Sequence, residues 1–232
     1  MRTFVIGDIH GAYRALDQCF DRSGFDSRMD RLISLGDVCD RGPEVSKVFE
    51  ALLEIHHLVY ILGNHDFWAK EWFTTGQVPD VWYFQGGRHT INSYPHGVPE
   101  SHRDLILNAY QYFIDANRLF IHGGIIPGVP VEKQDQNTLI WDRSLVSEAL
   151  SRRSKGRTDA ITGYAEIFVG HTPTIQFGSD HPIQACEVWL MDTGAGWGYP
   201  LSMMNIDTKE VFRSDPVTQL YGSNLYNNFN QT

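Results

Sequence analysis

The chain has 232 residues, a net charge of −9 and an apolar fraction of 42%, which suits one folded domain with a substantial core. The acidic balance gives it no electrostatic attraction to nucleic acid, because binding to a phosphate backbone requires clustered Lys and Arg. No apolar run approaches the ~20 residues of a transmembrane helix, and the N-terminus carries no signal segment. We therefore expect a cytoplasmic protein that binds neither nucleic acid nor a membrane.

The first third of the chain alternates strands and helices. Short β-branched and aromatic runs predict strands at residues 4–6, 32–35 and 58–62, each followed by a glycine. Apolar residues at helical spacing predict a helix that ends near Gly24 and another whose first turn contains Pro43. Strand–helix–strand alternation of this kind is typical of βαβ units, so we predict an α/β fold built on a largely parallel sheet.

The rest of the chain forms part of the same domain, which we place at residues 1–232. Residues 67–117 are predicted to be a cap of helices and loops on the substrate side, with one helix that includes residues 105–113. Strands follow at residues 119–121, 167–169, 188–191 and 203–206, and the turns between the last two favour antiparallel pairing. The polar, Asn-rich tail after Asp215 is expected to dock loosely.

Side chains that can bind metal follow the predicted strands. Asp8, Asp37 and Asn64 each come directly after the glycine that ends a strand, and the carboxyl ends of parallel strands meet at one edge of a sheet. His10, His122 and His171 complete the set. Carboxylate, imidazole and amide ligands without a thiolate suit borderline or hard divalent ions. Six ligands are about right for two ions that share a carboxylate.

Five short motifs carry a resemblance to a known family. They are Gly-Asp-Ile-His-Gly at 7–11, Gly-Asp-Val-Cys-Asp-Arg-Gly at 36–42, Gly-Asn-His-Asp at 63–66, His-Gly-Gly at 122–124 and Gly-His-Thr at 170–172. In this order the set resembles the calcineurin-like metallophosphoesterases, specifically the serine/threonine protein phosphatase superfamily. The eukaryotic C-terminal signature is absent, which favours the bacterial or phage type. The resemblance implies a four-layer α/β/β/α sandwich of mixed sheets, with a dimetal site at the strand ends.

The resemblance also implies a role for each motif residue. Two divalent ions, with Mn²⁺ expected and Fe²⁺, Zn²⁺ or Ni²⁺ as alternatives, would be held by Asp8, His10 and Asp37 on one side and by Asp37, Asn64, His122 and His171 on the other. A hydroxide bridging the ions would attack the phosphorus. Asp192 follows another predicted strand, and the resemblance places it in a supporting turn rather than among the ligands.

Four further residues would act on the substrate. His65 would protonate the leaving oxygen, and Asp40 would orient its ring. Arg41 would bind the phosphate oxygens together with Asn64. Arg143 is a second candidate phosphate ligand, because Trp141-Asp142-Arg143 is similar to the Trp-Asn-Arg segment of phage-type protein phosphatases.

The substrate class stays open between two enzymes and a scaffold. Asp40 is typical of the protein phosphatases, which favours a phosphorylated protein as the substrate, with serine/threonine or dual specificity. Asp66 is similar to symmetrical diadenosine tetraphosphate hydrolases, which typically have Ala where this chain has Asp40. We favour the protein phosphatase, with dinucleoside polyphosphate hydrolysis as the alternative. A non-catalytic metal-binding scaffold is the third hypothesis, and the intact His65, Asp40 and Arg41 argue against it.

Overall fold

The computed structural model describes residues 1–222. Within this part of the chain, ten strands form two five-stranded mixed sheets. The first sheet contains, in spatial order, β10 (Val211–Arg213), β9 (Ser202–Asn205), β1 (Thr3–Ile6), β2 (Arg31–Ser34) and β3 (His57–Tyr60). The second contains β4 (Tyr112–Asp115), β5 (Arg118–Ile121), β6 (Glu166–Val169), β8 (Val188–Leu190) and β7 (Ile183–Ala185).

Helices fill most of the connections. Those in the first half are α1 (Tyr13–Ser23), α2 (Val45–Leu53), α3 (Asn64–Thr75), α4 (Asp80–Trp82), α5 (Arg88–Asn92) and α6 (Glu100–Leu107), with a π-helical turn at Tyr83–Gly87. The later ones are α7 (Gln136–Trp141), α8 (Ser144–Ser154) and α9 (Val217–Tyr221), with 3₁₀ turns at Val131–Lys133, Thr174–Phe177 and Ala195–Trp197. None of the helices in residues 1–222 has the length and apolar character needed to cross a bilayer.

The two sheets pack face to face and helices cover their outer faces. Alternate strand residues, among them Val5, Ile33, Phe120 and Phe168, form the core between the sheets. The opposite face of the first sheet packs against α1 and α2, and that of the second against α7 and α8. This four-layer α/β/β/α arrangement confirms the fold class that the motif resemblance implies.

Each sheet contains three adjacent parallel strands. β1, β2 and β3 run parallel in the first sheet, and β5, β6 and β8 run parallel in the second. The carboxyl ends of neighbouring parallel strands share one sheet edge, which is where α/β folds place their ligands. The loops that follow these strands are therefore brought together by the topology.

Two predictions from the sequence are wrong. The strands at 188–191 and 203–206 do not pair, because β8 belongs to the second sheet and β9 pairs with β1 and β10 in the first. The predicted helix over 105–113 extends too far, because α6 ends at Leu107 and Tyr112 and Phe113 lie in β4. Residues 116 and 117 have φ values of 47° and 61° and turn β4 back onto β5 as a hairpin.

The helix boundaries and the tail differ from the sequence expectations in detail. Pro43 lies two residues before the first residue of α2 rather than in its first turn. After Asp215 the chain forms α9, where the Tyr221 hydroxyl donates to Glu44 and accepts from the backbone N–H of Arg14. The remainder of the predicted loose tail lies outside the described residues. Residues 67–117 contain most of α3 and all of α4 to α6. Their role as a cap on the substrate side stays a prediction.

The core between the sheets makes a direct test of this packing. The Phe120 and Phe168 rings stack with their centroids 5.0 Å apart, and both side chains are fully buried. Phe120→Ala should lower the free energy of unfolding by about 3–5 kcal/mol in a denaturant titration, because it leaves a cavity between two rigid sheets. The control is Phe84→Ala, since Phe84 is 78% exposed, and it should change stability by less than about 0.5 kcal/mol. Equal losses in both variants would contradict the packing.

Candidate active site

Five loops at the strand ends bring the six expected metal ligands together. Asp8 and His10 follow β1, Asp37 follows β2, Asn64 opens α3, and His122 and His171 follow β5 and β6. All six side chains are buried, and all except His122 line one cavity of about 270 Å³. His122 joins them through Asn64, whose Oδ1 lies 2.9 Å from the His122 Nε2.

Asp37 occupies the centre of this group. Possible ligand atoms of Asp37, His122 and His171 all lie within 4.8 Å of one another, and the same holds for His10, Asp37 and His65. The Nε2 of His10 lies 3.8 Å from Asp37 Oδ2, and the Nε2 of His122 lies 3.4 Å from Asp37 Oδ1. The two clusters thus meet at opposite oxygens of a single carboxylate, which is the position expected for a bridging ligand.

The loops adopt strained backbone conformations. Five residues with side chains have φ in the left-handed region, namely His10 (47°), Asp37 (49°), Asp40 (73°), Arg41 (64°) and His171 (62°). Each such residue costs on the order of 1–3 kcal/mol, and persists only where the surroundings enforce it. The strain is concentrated where the side chains must converge.

Asp66 is one of the groups that enforce this geometry. Its buried carboxylate accepts hydrogen bonds from the backbone N–H groups of Val38, Cys39 and Gly63, which ties the loop after β2 to the start of α3. Burial and the neighbouring Asp37 raise the pKa of Asp66 to about 6. The sequence analysis used Asp66 only as a family marker. Its place three residues after Gly63, at the N3 position of a helix, is the signal for this capping role.

The glycines of the motifs make room for the ligands. A Cβ atom on Gly63 would lie 2.1 Å from the Oδ1 of Asp37, and a Cβ on Gly170 would lie 2.3 Å from the Oδ1 of Asp8. No side chain fits at either position without displacing a ligand oxygen. This contact explains why a glycine directly precedes Asn64 and His171.

Backbone carbonyls fix the orientation of the histidine rings. The Nδ1–H of His10 donates to the carbonyl of Cys39 (2.9 Å), and that of His122 donates to the carbonyl of Leu35 (2.8 Å). In His171 it is Nε2 that faces a carbonyl, that of Trp141, at 3.2 Å. Each neutral ring therefore keeps its other nitrogen as an electron-pair donor, as metal-binding histidines do.

The donor set fits a pair of divalent cations. With its proton on Nδ1, His122 directs the lone pair of Nε2 toward Asn64 Oδ1 and Asp37 Oδ1, two atoms that also offer only lone pairs. A cation satisfies such a group of acceptors. Oxygen and nitrogen ligands without a thiolate suit Mn²⁺, Fe²⁺ or Zn²⁺.

The buried carboxylates of the site need nearby positive charge to stay ionised. Burial, together with the charges of Asp192 and Asp37, raises the pKa of Asp8 well above its usual value. Burial and Asp37 likewise raise the pKa of Asp192 to about 6, against a hydrogen bond from the N–H of Gly194. Asp192 lines the cavity in addition to accepting the hydrogen bond that caps its turn. The sequence indicated only the supporting turn. Its position shortly after β8 is the feature that could have placed it beside the site.

Two histidines are held in the neutral form that binds metal. Burial, with the positive charges of His122 and Arg143 nearby, lowers the pKa of His171 to about 2. Burial, Arg41 and His65 lower the pKa of His10 well below its usual value. Burial acts to lower the pKa of His122 too, but Asp37 outweighs it and raises that pKa. Metal binding requires neutral imidazole, which His10 and His171 provide, whereas His122 has to release the proton that Asp37 favours.

His65 and Asp40 form a hydrogen-bonded pair beside this cluster. The Nδ1–H of His65 donates to Asp40 Oδ2 at 2.7 Å, and the ring contacts His10 edge to face at 4.9 Å between centroids. With Nδ1 committed to Asp40, Nε2 is the atom that His65 offers to the cavity it lines. The geometry allows this nitrogen to serve as a ligand or as a proton donor.

Two guanidinium groups line the same cavity. The Cζ atom of Arg41 lies 4.1 Å from the centre of the Trp197 ring, and the side chain is largely buried. Arg143 is exposed, and its Nη2 donates to the carbonyl of His171 at 3.3 Å. Both line the cavity together with the carboxylates of Asp8, Asp37 and Asp192, and planar guanidinium groups are suited to phosphate oxygens.

Aromatic and amide side chains complete the cavity wall. They are Trp68, Trp141, Trp197, Gln85 and Gln176. The Trp68 and Trp141 rings contact each other edge to face at 5.1 Å between centroids. The sequence analysis did not identify Trp197, Gln85 or Gln176 as site residues, because they lie outside the five motifs and only the tertiary fold brings them there.

Comparison with known proteins agrees with this geometry. The sequence profile described as calcineurin-like phosphoesterase matches residues 1–197. A symmetrical bis(5'-nucleosyl)-tetraphosphatase of Pseudomonas putida is 42% identical over 93% of each chain. A solved structure provisionally named a diadenosine tetraphosphatase superposes with a TM-score of 0.67 at 18% identity, over 91% of this chain and 92% of that one.

A second solved structure shares the fold. A protein serine/threonine phosphatase of Saccharomyces cerevisiae superposes with a TM-score of 0.59 at 13% identity, over 93% of this chain and 80% of that one. At such identities the two structures support the fold alone, whereas the profile match spans most of the sequence. The protein therefore belongs to the calcineurin-like phosphoesterase family.

Proposed function

We propose that this phosphoesterase is a symmetrical dinucleoside polyphosphate hydrolase that works with two divalent metal ions. The observation that carries the substrate class is the 42% identity to a symmetrical tetraphosphatase over 93% of both chains. This reverses the preference drawn from the sequence alone, in which a protein phosphatase came first. The cavity is consistent with the proposal, since it combines guanidinium groups for a polyphosphate with three tryptophan side chains for stacking.

The metal ligands are those predicted from the motifs. We assign Asp8, His10 and Asp37 to one ion, and Asp37, Asn64, His122 and His171 to the other. Divalent ions in such a site neutralise phosphate charge and lower the pKa of a bound water. The choice of Mn²⁺ stays a prediction, because the donor set equally suits other borderline cations.

The arginines bind the phosphate group that is attacked. Arg41, Arg143 and Asn64 line the same cavity, where they can reach the phosphate oxygens. The burial of Arg41 strengthens its interaction with an anion, since the local dielectric is lower than in water. The stacking of Arg41 on Trp197 restricts its guanidinium plane before the substrate arrives.

His65 acts as the general acid. As the bond between phosphorus and the leaving oxygen breaks, its electron pair passes to that oxygen, which takes the proton from His65 Nε2. Asp40 holds the ring by Nδ1, which leaves Nε2 as the atom that can give the proton. The grouping of His65 with His10 and Asp37 supports this role, because it puts His65 beside the proposed metal ligands.

A protein phosphatase is the second candidate, and the His65–Asp40 pair favours it. The alkoxide of serine or threonine is a poorer leaving group than a nucleoside diphosphate and depends more on protonation. An intact acid pair is therefore more useful for a phosphoprotein. The similarity to the yeast phosphatase supports only the shared fold.

A competition between substrates tests the proposed activity. With Mn²⁺ present, kcat/KM for diadenosine tetraphosphate should exceed that for a phosphoserine peptide by on the order of 10-fold or more, with ADP as the sole nucleotide product of symmetrical cleavage. Product analysis by ion-exchange chromatography measures both. A faster reaction with the phosphopeptide, or production of ATP with AMP, would contradict the proposal. If even p-nitrophenyl phosphate is not hydrolysed, the remaining hypothesis is the non-catalytic metal-binding scaffold.

A single arginine tests the phosphate contacts. Arg143→Ala should reduce kcat/KM by about 10- to 100-fold, the value of one charged hydrogen-bonding group to a phosphate. Metal content should stay unchanged, because Arg143 touches His171 only through its carbonyl. Arg153→Ala is the matched control, since Arg153 is exposed on α8 and away from the cavity. An equal loss in the control, or an unchanged rate in Arg143→Ala, removes Arg143 from the site.

A further inference from the structure

We propose that Trp82 and Thr90 are positioning residues for the general acid, because they hold the Asp40 carboxylate that orients His65. Both belong to the helical segment between α3 and α6, far in sequence from the five motifs. The proposal rests on the role of His65 in the proposed function. It does not depend on whether the substrate is a dinucleotide or a phosphoprotein.

Asp40 is held by three side-chain donors. The hydroxyl of Thr90 donates to Oδ1 at 2.6 Å, the indole N–H of Trp82 donates to Oδ2 at 2.8 Å, and His65 Nδ1–H donates to the same Oδ2 at 2.7 Å. The backbone N–H of Asp40 also donates to the hydroxyl oxygen of Thr90 at 2.8 Å. Thr90 therefore fixes both the main chain and the side chain of Asp40.

These contacts lie where water cannot replace them. Asp40, Trp82 and Thr90 are fully buried. Hydrogen bonds to a buried carboxylate are charge-assisted and stronger than neutral ones. Removing a donor would leave part of the carboxylate unsatisfied, and the group would then turn to find another partner.

The carboxylate plane decides where His65 points. Donors on both oxygens prevent rotation about the bond between Cβ and Cγ of Asp40, so the direction of the hydrogen bond from His65 Nδ1 is fixed. The opposite ring nitrogen, Nε2, is then aimed at one place in the cavity. A freely turning carboxylate would hold the same hydrogen bond with the ring in several orientations, only some of which reach the leaving oxygen.

The segment that carries Trp82 and Thr90 is itself packed on the Asp40–Arg41 turn. The backbone N–H of Arg41 donates to the carbonyl of Gly86 at 3.3 Å, and a Cβ on Gly87 would lie 2.5 Å from the Trp82 indole. Packing alone would need only an aromatic ring at position 82. The indole N–H is buried, and Asp40 is the acceptor that satisfies it.

The effect should depend on the leaving group. Trp82→Phe and Thr90→Val should reduce kcat for phenyl phosphate by about 10-fold or more, because this poor leaving group needs the proton. The same variants should change kcat for p-nitrophenyl phosphate by less than about 2-fold, since that leaving group departs without protonation. Thr90→Ser keeps the hydroxyl and should restore the rate for phenyl phosphate. Metal content should match the unmodified protein in every variant.

Tyr94→Phe is the matched control. It removes a buried hydrogen bond of the same helical segment, that between the Tyr94 hydroxyl and His102 Nδ1 at 3.0 Å, without touching Asp40. Equal losses for both substrates, or the same selective loss in Tyr94→Phe, would show a structural effect and overturn the proposal. Thr90→Val is close to isosteric and decides the matter if Trp82→Phe does not fold.

His65→Asn separates the two proposals. A selective loss for phenyl phosphate in His65→Asn together with Trp82→Phe and Thr90→Val supports both. A selective loss in His65→Asn alone overturns the positioning role and leaves the general acid in place. No selectivity in His65→Asn overturns the assignment of the acid and, with it, this inference. None of these outcomes depends on the rate with diadenosine tetraphosphate, which tests the substrate class separately.

Discussion

The site depends on the burial of several carboxylates in one place. Asp8, Asp37 and Asp192 line one cavity, and each of these residues is at most 3% exposed. Burial opposes the ionisation of each, and their mutual repulsion adds to that cost for Asp8 and Asp192. A fold keeps such a cluster only where positive charge compensates it. Two divalent ions held by these side chains would provide that charge together with Arg41 and Arg143, and would attract an anionic phosphate.

The rigid fold makes this arrangement possible because it holds the strained backbone of the site loops in place. Two packed sheets with a continuous apolar core give rigid strand ends, and the loops that follow them adopt left-handed conformations at His10, Asp37 and His171. Asp66 ties the loop of Asp37 to the start of α3, and Trp82 and Thr90 fix the next turn at Asp40. The ligands are therefore placed before any ion or substrate binds, which lowers the reorganisation needed for catalysis.

The sequence predicts the local features of the site better than its long-range contacts. Asp8, Asp37 and Asn64 could be proposed as ligands because each follows a glycine at a strand end, and the structure shows that the glycine is required by close contact. The sheet partners of β8 and β9 could not be predicted, because the turn between two strands does not determine whether they join the same sheet. The contact of Trp82 with Asp40 could not be predicted either, because the two residues are 42 positions apart and no local pattern links them.

We propose that six ligands from five loops hold two ions that share Asp37. A crystal structure of the protein grown with Mn²⁺, with data collected at the manganese absorption edge, tests it most directly. We expect two anomalous peaks about 3.5–4 Å apart with the Asp37 carboxylate touching both. Asp8 and His10 should contact one peak, and Asn64, His122 and His171 the other. A single peak, or two peaks of which only one touches Asp37, would show that Asp37 does not bridge two ions.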